Sequence, residues 1–479
     1  MRRLHPNARR IAGALLLTLA AAVTAGCDDD TGGAGSDRFR SEIGVVPETP
    51  QRPGDPAAGY DALVNAPYVG CGLPYDAWRR LNPETDPADL LPGRRGRNAE
   101  LPYAATAHVN RDGVEVVSSN CLVCHAARIE GELIVGLGNE FLDFTEDARR
   151  AATSAGAYVR GEAETAAWRH WADRIDGVAP HIRTATVGAN PATNLTWALM
   201  SRLDPETLEW SETPLIDPPP TEPLPVSVPP WWRMSKKNAM FYTTIGRGDH
   251  ARFMMLASLL CVDSVEEVEA IDEYAPDIRA YIASLEAPAY PRPIDAVLAE
   301  EGRAVFEKGC SGCHGSYGEA PSYPNKLISL EKVGTDPEYA LAATDGRRDR
   351  FYEWVAESWF GSTVETAPAA GYIAPPLDGV WATAPYLHNG AVPDIALLLD
   401  SERRPRFWRH RSGPREYDPE TLGWRYERLE AAEVEAASPE ERARIHDTTR
   451  LGYGAGGHRY GDLLSEAQRR ALIEYLKTL

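Results

Sequence analysis

Two short strings constrain this chain more than anything else in its 479 residues: Cys121-Leu-Val-Cys124-His125 and Cys310-Ser-Gly-Cys313-His314. In each, two thiols three positions apart are followed directly by an imidazole. That spacing lets the thiols reach the two vinyl groups of one porphyrin and sets the histidine beneath the iron as its proximal ligand. A dithiol redox pair needs no histidine after the second cysteine, and a zinc site needs further paired ligands. The sequence therefore predicts two covalently bound haems c, attached through Cys121, Cys124, Cys310 and Cys313, with His125 and His314 as proximal ligands.

The N-terminus fits delivery to a compartment where such attachment occurs. Arg2, Arg3, Arg9 and Arg10 precede an uncharged run from Ile11 to Gly26, and Thr24-Ala25-Gly26-Cys27 follows the pattern of a lipoprotein cleavage site. We expect residues 1–26 to be a signal peptide, Cys27 to carry a lipid, and residues 27–58, rich in Asp, Gly and Pro, to be a disordered tether. The expected location is the periplasmic side of a membrane, touched only through the lipid. Export leaves the mature chain more acidic than the formal charge of −20 for the whole. Such a surface repels phosphate and argues against a nucleic-acid partner. It suits a small apolar or peroxide substrate and a redox partner protein. Of the seven cysteines, Cys71 and Cys261 remain after lipid and haem are assigned. They form a disulfide or stay separately buried, and sequence leaves both open.

Helical patterning surrounds the second motif. Ile294–Lys308 carries an apolar stripe that runs into Cys310, and Ser465–Leu479 opens with a Ser N-cap and continues as an amphipathic helix. These resemble the first and closing helices of a class I cytochrome c. Asp277–Leu285 reads like Ala471–Leu479, which suggests two such units in tandem, joined at Glu286–Pro293, where prolines 288, 291 and 293 stop a helix. The expected fold is mainly α: tandem class I cytochrome c-like domains with long loops and few short strands, divided at 59–290 and 291–479. The first unit is less regular, because its motif follows the strand-like Gly113–Val117.

The string Trp381-Ala-Thr-Ala-Pro-Tyr-Leu-His-Asn-Gly-Ala-Val392 resembles the di-haem cytochrome c peroxidase superfamily. Its extension back to Pro375 is similar to the rubber oxygenase and di-haem fatty-acid dioxygenase branch, as are Tyr68–Pro74, Gly246–His250 and Gly457–Gly461. The likeness covers most of residues 60–479. It implies a six-coordinate C-terminal haem that relays electrons, a reactive N-terminal haem with an open distal side lined by aromatics, and a tryptophan coupling the two.

On that resemblance His458 is the expected distal ligand of the C-terminal haem. It precedes the closing helix, and no Met follows Met255 to take the place. His388 is the rival. For the N-terminal haem the distal candidates are His250, Met254 and Met255, and none is obvious. Trp231 and Trp232, within Pro229–Ser235, are expected to line the reactive pocket and couple the haems. The resemblance also implies a calcium ion on backbone carbonyls of Thr383 and Pro385. The arginines at 403, 404, 406, 409, 411 and 415 either neutralise haem propionates or form a solvated loop. Three functions follow: a dioxygenase-like enzyme acting on an unsaturated apolar substrate, a hydrogen-peroxide-reducing peroxidase, and a pure electron carrier. The peroxidase reading calls for a distal acid, for which Glu140 is a candidate.

Overall fold

Proline and aspartate start the first helix of the chain. Asp55 accepts backbone N–H bonds from Ala57 and Ala58, Pro56 occupies the first helical position, and the helix runs Pro56–Asn65. It crosses the helix Ala275–Ser284. In the second half Asp295 caps Ala296–Gly309 in the same way, and this helix crosses Glu466–Leu476, which begins with a capping box between Ser465 and Gln468. The two crossings share one device. A Cβ on Gly59 would collide with the Asp277 carbonyl and stand 2.9 Å from the Tyr281 Cβ; a Cβ on Gly302 would collide with the Ala471 carbonyl and stand 2.8 Å from the Tyr475 Cβ. Only glycine lets the backbones approach so closely. Both cap aspartates are also held across the crossing, Asp55 N–H by Asp277 (2.7 Å) and Asp295 N–H by Glu474 (2.7 Å).

The structure, a computed structural model, describes residues 44–411 and 416–479. Residues 1–26, Cys27, the tether as far as residue 43 and Arg415 lie outside them. From residue 44 onward the expected tether is instead a strap. Val46 is buried and its N–H bonds the Asn325 carbonyl at 2.9 Å, while Arg52 pairs with Asp249 (2.5 Å) and Asp272 (2.6 Å). Low hydrophobicity concealed this because the strap is held by hydrogen bonds and ion pairs rather than by an apolar stripe. Among the described residues no helix is long and apolar enough to cross a membrane.

Helix and strand are mixed, at 42% and 13%, so the architecture is not simply the expected α fold. The three-stranded sheets lie before the motif in the first half and between the motif and the closing helix in the second. In the first half Glu115–Ser119 lies between Leu73–Pro74 and Ala105–Val109 in an antiparallel sheet and feeds directly into the motif helix Leu122–His125. In the second, Phe407–His410 lies between Tyr426–Arg428 and Ile445–Asp447. Cys71, beside the first sheet, is disulfide-bonded to Cys261, with Cα atoms 5.7 Å apart.

The two halves are interlocked. Gly246–Gly248 pairs antiparallel with Val364–Thr366 across the seam. Phe351, Tyr352, Trp354 and Phe360, from the second half of the sequence, pack in the core of the first; Ala127, Ile129, Leu137 and Trp232, from the first, pack in the core of the second. Glu286–Pro293 is irregular chain, so the expected divide at 290/291 is a break in the helices but not between the cores.

A cavity that joins the two Cys-x-x-Cys-His motifs

The first motif is held from both sides. Cys121 N–H donates to the Tyr68 hydroxyl (3.3 Å), which itself donates to the Leu63 carbonyl (3.0 Å). Asn139 clamps the other end, its N–H on the Cys124 carbonyl (2.9 Å) and its side-chain amide on that of Val123 (3.0 Å). Burial pushes the His125 imidazole down to about 3, against the pull of the Pro229 carbonyl, so the ring is neutral, the form that binds metal. Trp231 stacks on it, with centroids 4.7 Å apart and planes 21° from parallel.

The second motif has a fixed tautomer. His314 Nδ1 donates to the Pro375 carbonyl at 2.8 Å, which leaves the Nε2 lone pair free. Across from it stands His458, with ring centroids 6.2 Å apart. Two imidazoles bound on opposite sides of one metal, with metal–nitrogen bonds of about 2.0–2.1 Å, place their centroids about 6.3 Å apart. The match is close. Burial drives His458 down to about 4, and it too is neutral. Its loop is strained and braced: His458 adopts φ +46°, its N–H bonds the Val333 carbonyl (2.7 Å), and Arg404 donates to the carbonyls of Ala455 (2.7 Å) and Gly457 (2.8 Å). His388 does not compete for the same position. It stacks on Tyr372 at 4.1 Å, with Tyr242 and Tyr339 around it.

Cys121, Cys124, Cys310 and Cys313 are free thiols, and all four open with His125, His314 and His458 onto one continuous cavity of about 670 Å³. Among the described residues no group of three or more His, Cys, Asp or Glu could hold a bare metal ion. Paired thiols beside one or two neutral imidazoles suit a metal that brings its own equatorial ring, and the residues fit a haem at each motif. The two ends differ. His314 has a histidine ring opposite it, whereas the ring packed on His125 is Trp231, which lies beside the imidazole rather than across the cavity.

The other expected residues fall in several places. Trp231 lines the cavity, but Trp232 turns into the second core and donates to the Asp378 carbonyl at 2.8 Å. Met254, Met255 and His250 line the cavity, and neither His250 nitrogen has a hydrogen-bond partner. Thr383 and Pro385 also face it, and the buried Arg233 guanidinium donates to the Thr383 hydroxyl at 3.3 Å, a cation whose charge disfavours a calcium ion beside it. The Arg403–Arg411 group is absent from the cavity wall among the described residues, and Arg404 is committed to carbonyls. Glu140 is on the wall beside Tyr242, and burial pushes its carboxyl well above the usual range. Sequence reasoning missed Arg233, Lys237 and Asn139; the basic residues following Trp231-Trp232 were the available signal.

Residues 371–409, which supply Tyr372, Pro375, Thr383, His388 and Arg404, match a family described as RoxA-like, cytochrome c-like. Cytochrome c-like sequence thus forms one wall of the cavity. That implies covalently bound haem and supports a haem-dependent redox protein related, at a coarse level, to rubber oxygenases and di-haem cytochromes. Two relatives come from Sinorhizobium fredii. The uncharacterized protein y4iJ is 30% identical over 292 residues, 47% of this chain and 47% of that protein. The uncharacterized protein y4iM is 29% identical over 241 residues, 41% of this chain and 52% of that protein. The chain spans about half the length of the curated relatives it matches.

Proposed function

We propose that this chain is a two-haem c-type oxidoreductase in which the N-terminal haem reacts and the C-terminal haem relays electrons. The observation that carries the reading is the asymmetry of the two ends: His314 faces His458 at a separation suited to one shared metal, and His125 has no ring opposite it among the described residues. When bound, haem would supply activation of dioxygen or peroxide at the first motif and one-electron transfer at the second. The protein's own share is positioning. Tyr68 and Asn139 fix the first motif, Trp231 fixes the plane of His125, and Arg404 holds His458 in place. Phe241, Met254, Met255 and Ile282 give the cavity an apolar wall that excludes water and favours an unsaturated hydrocarbon chain. We therefore favour an oxygenase-like reaction.

A peroxidase is the second reading, and Glu140 supports it. Burial raises this carboxyl well above its ordinary range and so favours its protonated form, which puts a candidate proton donor in the wall of the same cavity. Glu140→Gln separates the two: a peroxidase should lose its peroxide turnover in this variant, whereas an oxygenase should keep oxygenating an unsaturated chain. We also place the mature chain on the periplasmic side, tethered through Cys27, with a redox partner protein exchanging electrons at the acidic surface.

The main test is the optical spectrum of the purified, reduced protein with and without CO. One of the two haems should respond, and His125→Ala should abolish the response. If neither haem binds CO, both enzyme readings fail and a pure electron carrier remains.

A further inference from the structure

The segment Pro230–Lys237 crosses the seam, and its side chains reach into both halves. Trp231 stacks on His125, Trp232 enters the second core, and the next charged residues are Arg233, Lys236 and Lys237. Lys236 is paired with Asp378 at 2.6 Å. Arg233 and Lys237 are not paired with any carboxylate among the described residues, yet Arg233 is buried, Lys237 is half-buried, and both line the cavity. Arg233 donates only to the Asp378 backbone carbonyl (3.1 Å) and the Thr383 hydroxyl (3.3 Å), and the titratable groups around it are Tyr242, Tyr317, Tyr323, Tyr386, His314, Lys237 and the Asp378 carboxylate. Lys237 has Arg233 and His250 as its charged or titratable neighbours, and burial lowers it to about 8.

A buried cation without a counter-ion is costly, and removing the partner of a buried pair typically loses 3–5 kcal/mol. Here Lys236 takes the Asp378 carboxylate as its partner, while burial disfavours the charged form of Glu140, beside Tyr242. Arg233 and Lys237 thus lack a carboxylate partner among the described residues, and they line the same cavity onto which the four motif thiols open. Each haem c carries two propionate carboxylates.

We infer that Arg233 and Lys237 are the ion-pair partners of haem propionates, so that the segment bearing Trp231 and Trp232 is also the electrostatic link between the two haem sites. This rests on the two-haem reading. A guanidinium is suited to the role because its planar fork can hold a carboxylate through two bonds. The arginines at 403–411, which the sequence offered for this task, do not face the cavity.

The test uses the full-length holoprotein, with haem content measured first by mass and by alkaline pyridine spectra. Absence of haem would refute the two-haem reading itself. With two haems present, potentiometric titrations are run from pH 6 to 9 without added substrate. Loss of a nearby positive charge favours the oxidised state. Arg233→Gln should therefore lower the reduced-to-oxidised ratio of one haem about tenfold at fixed potential, equivalent to about 59 mV for a one-electron couple. The unpaired propionate should also make the potential pH-dependent. Arg233→Lys should restore most of the wild-type behaviour, and Lys237→Gln should shift a potential in the same direction. Unchanged, pH-independent potentials in both Gln variants would overturn the inference. So would an Arg233→Lys variant indistinguishable from Arg233→Gln. If the Gln variants keep their potentials but lose binding of added laurate, the cations serve a free carboxylate instead, and the inference also fails. If Arg233→Gln does not accumulate, Lys237→Gln and Arg233→Lys decide by the same criteria.

Discussion

Substituting Gly302 by alanine sets two well-known effects against each other. In a helix interior Gly→Ala ordinarily stabilises by about 0.8–1 kcal/mol, because alanine restricts the unfolded chain and has the better helix propensity. At Gly302 the new methyl would collide with the Ala471 carbonyl and stand 2.8 Å from the Tyr475 Cβ, both on the crossing helix. Neither obstacle is the far end of a flexible side chain, so the helices themselves must separate. Overpacking of this kind costs about 1–3 kcal/mol, and rigid backbone on one side favours the upper end. The net expectation is a loss of about 2 kcal/mol. For a unit of 150–250 residues that corresponds to a fall in Tm of about 4–8 °C. Thermal unfolding followed by circular dichroism, in the Soret band and the far ultraviolet, measures it. Gly59→Ala should behave alike, since its Cβ meets the Asp277 carbonyl and the Tyr281 Cβ. The sign decides: a Tm unchanged or raised in both variants would mean that the helices do not cross as closely as described, and the tandem relation between the halves would lose its structural support.

Other consequences are open to direct measurement. His458→Ala should convert the C-terminal haem from low to high spin, seen by absorption and electron paramagnetic resonance; an unchanged spectrum would remove His458 as ligand. Replacing Cys71 and Cys261 together by serine opens a loop spanning 190 positions and should lower stability by up to about 5 kcal/mol in the chain-entropy limit, read from chemical unfolding. Asp272 loses solvation on burial, which favours its neutral form, but bonds from Arg52 and Arg252 outweigh this and hold its carboxyl below the ordinary 3.8. Its contribution is therefore present above about pH 4 and is lost as pH falls through the lower folded value. Limited proteolysis should detect release of the strap at residues 44–55 in acid, and Asp272→Asn should show the release already at neutral pH.

Much of the site was legible in the sequence because its chemistry is local. Cys-x-x-Cys-His puts thiols and imidazole on a single turn, so no tertiary information is needed to see what it binds. The closing helix was equally plain, since the cap at Ser465 and the stripe through Leu472 and Leu476 are short-range signals. His458 was reached only by its position before that helix, and the structure adds the ring-to-ring distance that gives the assignment its force. The first helix, Pro56–Asn65, was not recognised, because 55 residues separate Asn65 from Cys121 and much of that length is sheet. Its Gly59 was the available clue, and a glycine discloses nothing until its partner helix is known. Arg233 and Arg404 were invisible as distinct residues for a related reason. Both are arginines in arginine-containing stretches, and what separates a cavity cation from a loop brace is the surface each one faces, which depends on the whole fold.

The exchange of core residues between the halves bears on why two Cys-x-x-Cys-His motifs share one chain. Residues 291–479 contain a complete motif and both crossing helices, so on sequence they should fold alone. In the structure Phe351, Tyr352, Trp354, Val355, Phe360 and Val364 pack in the other half's core. Burial of each such side chain is worth about 1.5–3 kcal/mol, so exposing six forfeits about 9–18 kcal/mol. That equals or exceeds the 5–15 kcal/mol by which domains are usually stable. The isolated fragment should therefore fail to give a cooperative unfolding transition even when exported and supplied with haem. Co-expression with residues 44–290 should restore one. A fragment 291–479 that unfolds cooperatively by itself, with the same low-spin spectrum as the full chain, would refute the argument. The interlock also constrains the cavity: Trp231 and Trp232 are neighbours in the chain but belong to different cores, so any movement of one half against the other must distort the segment between the two motifs.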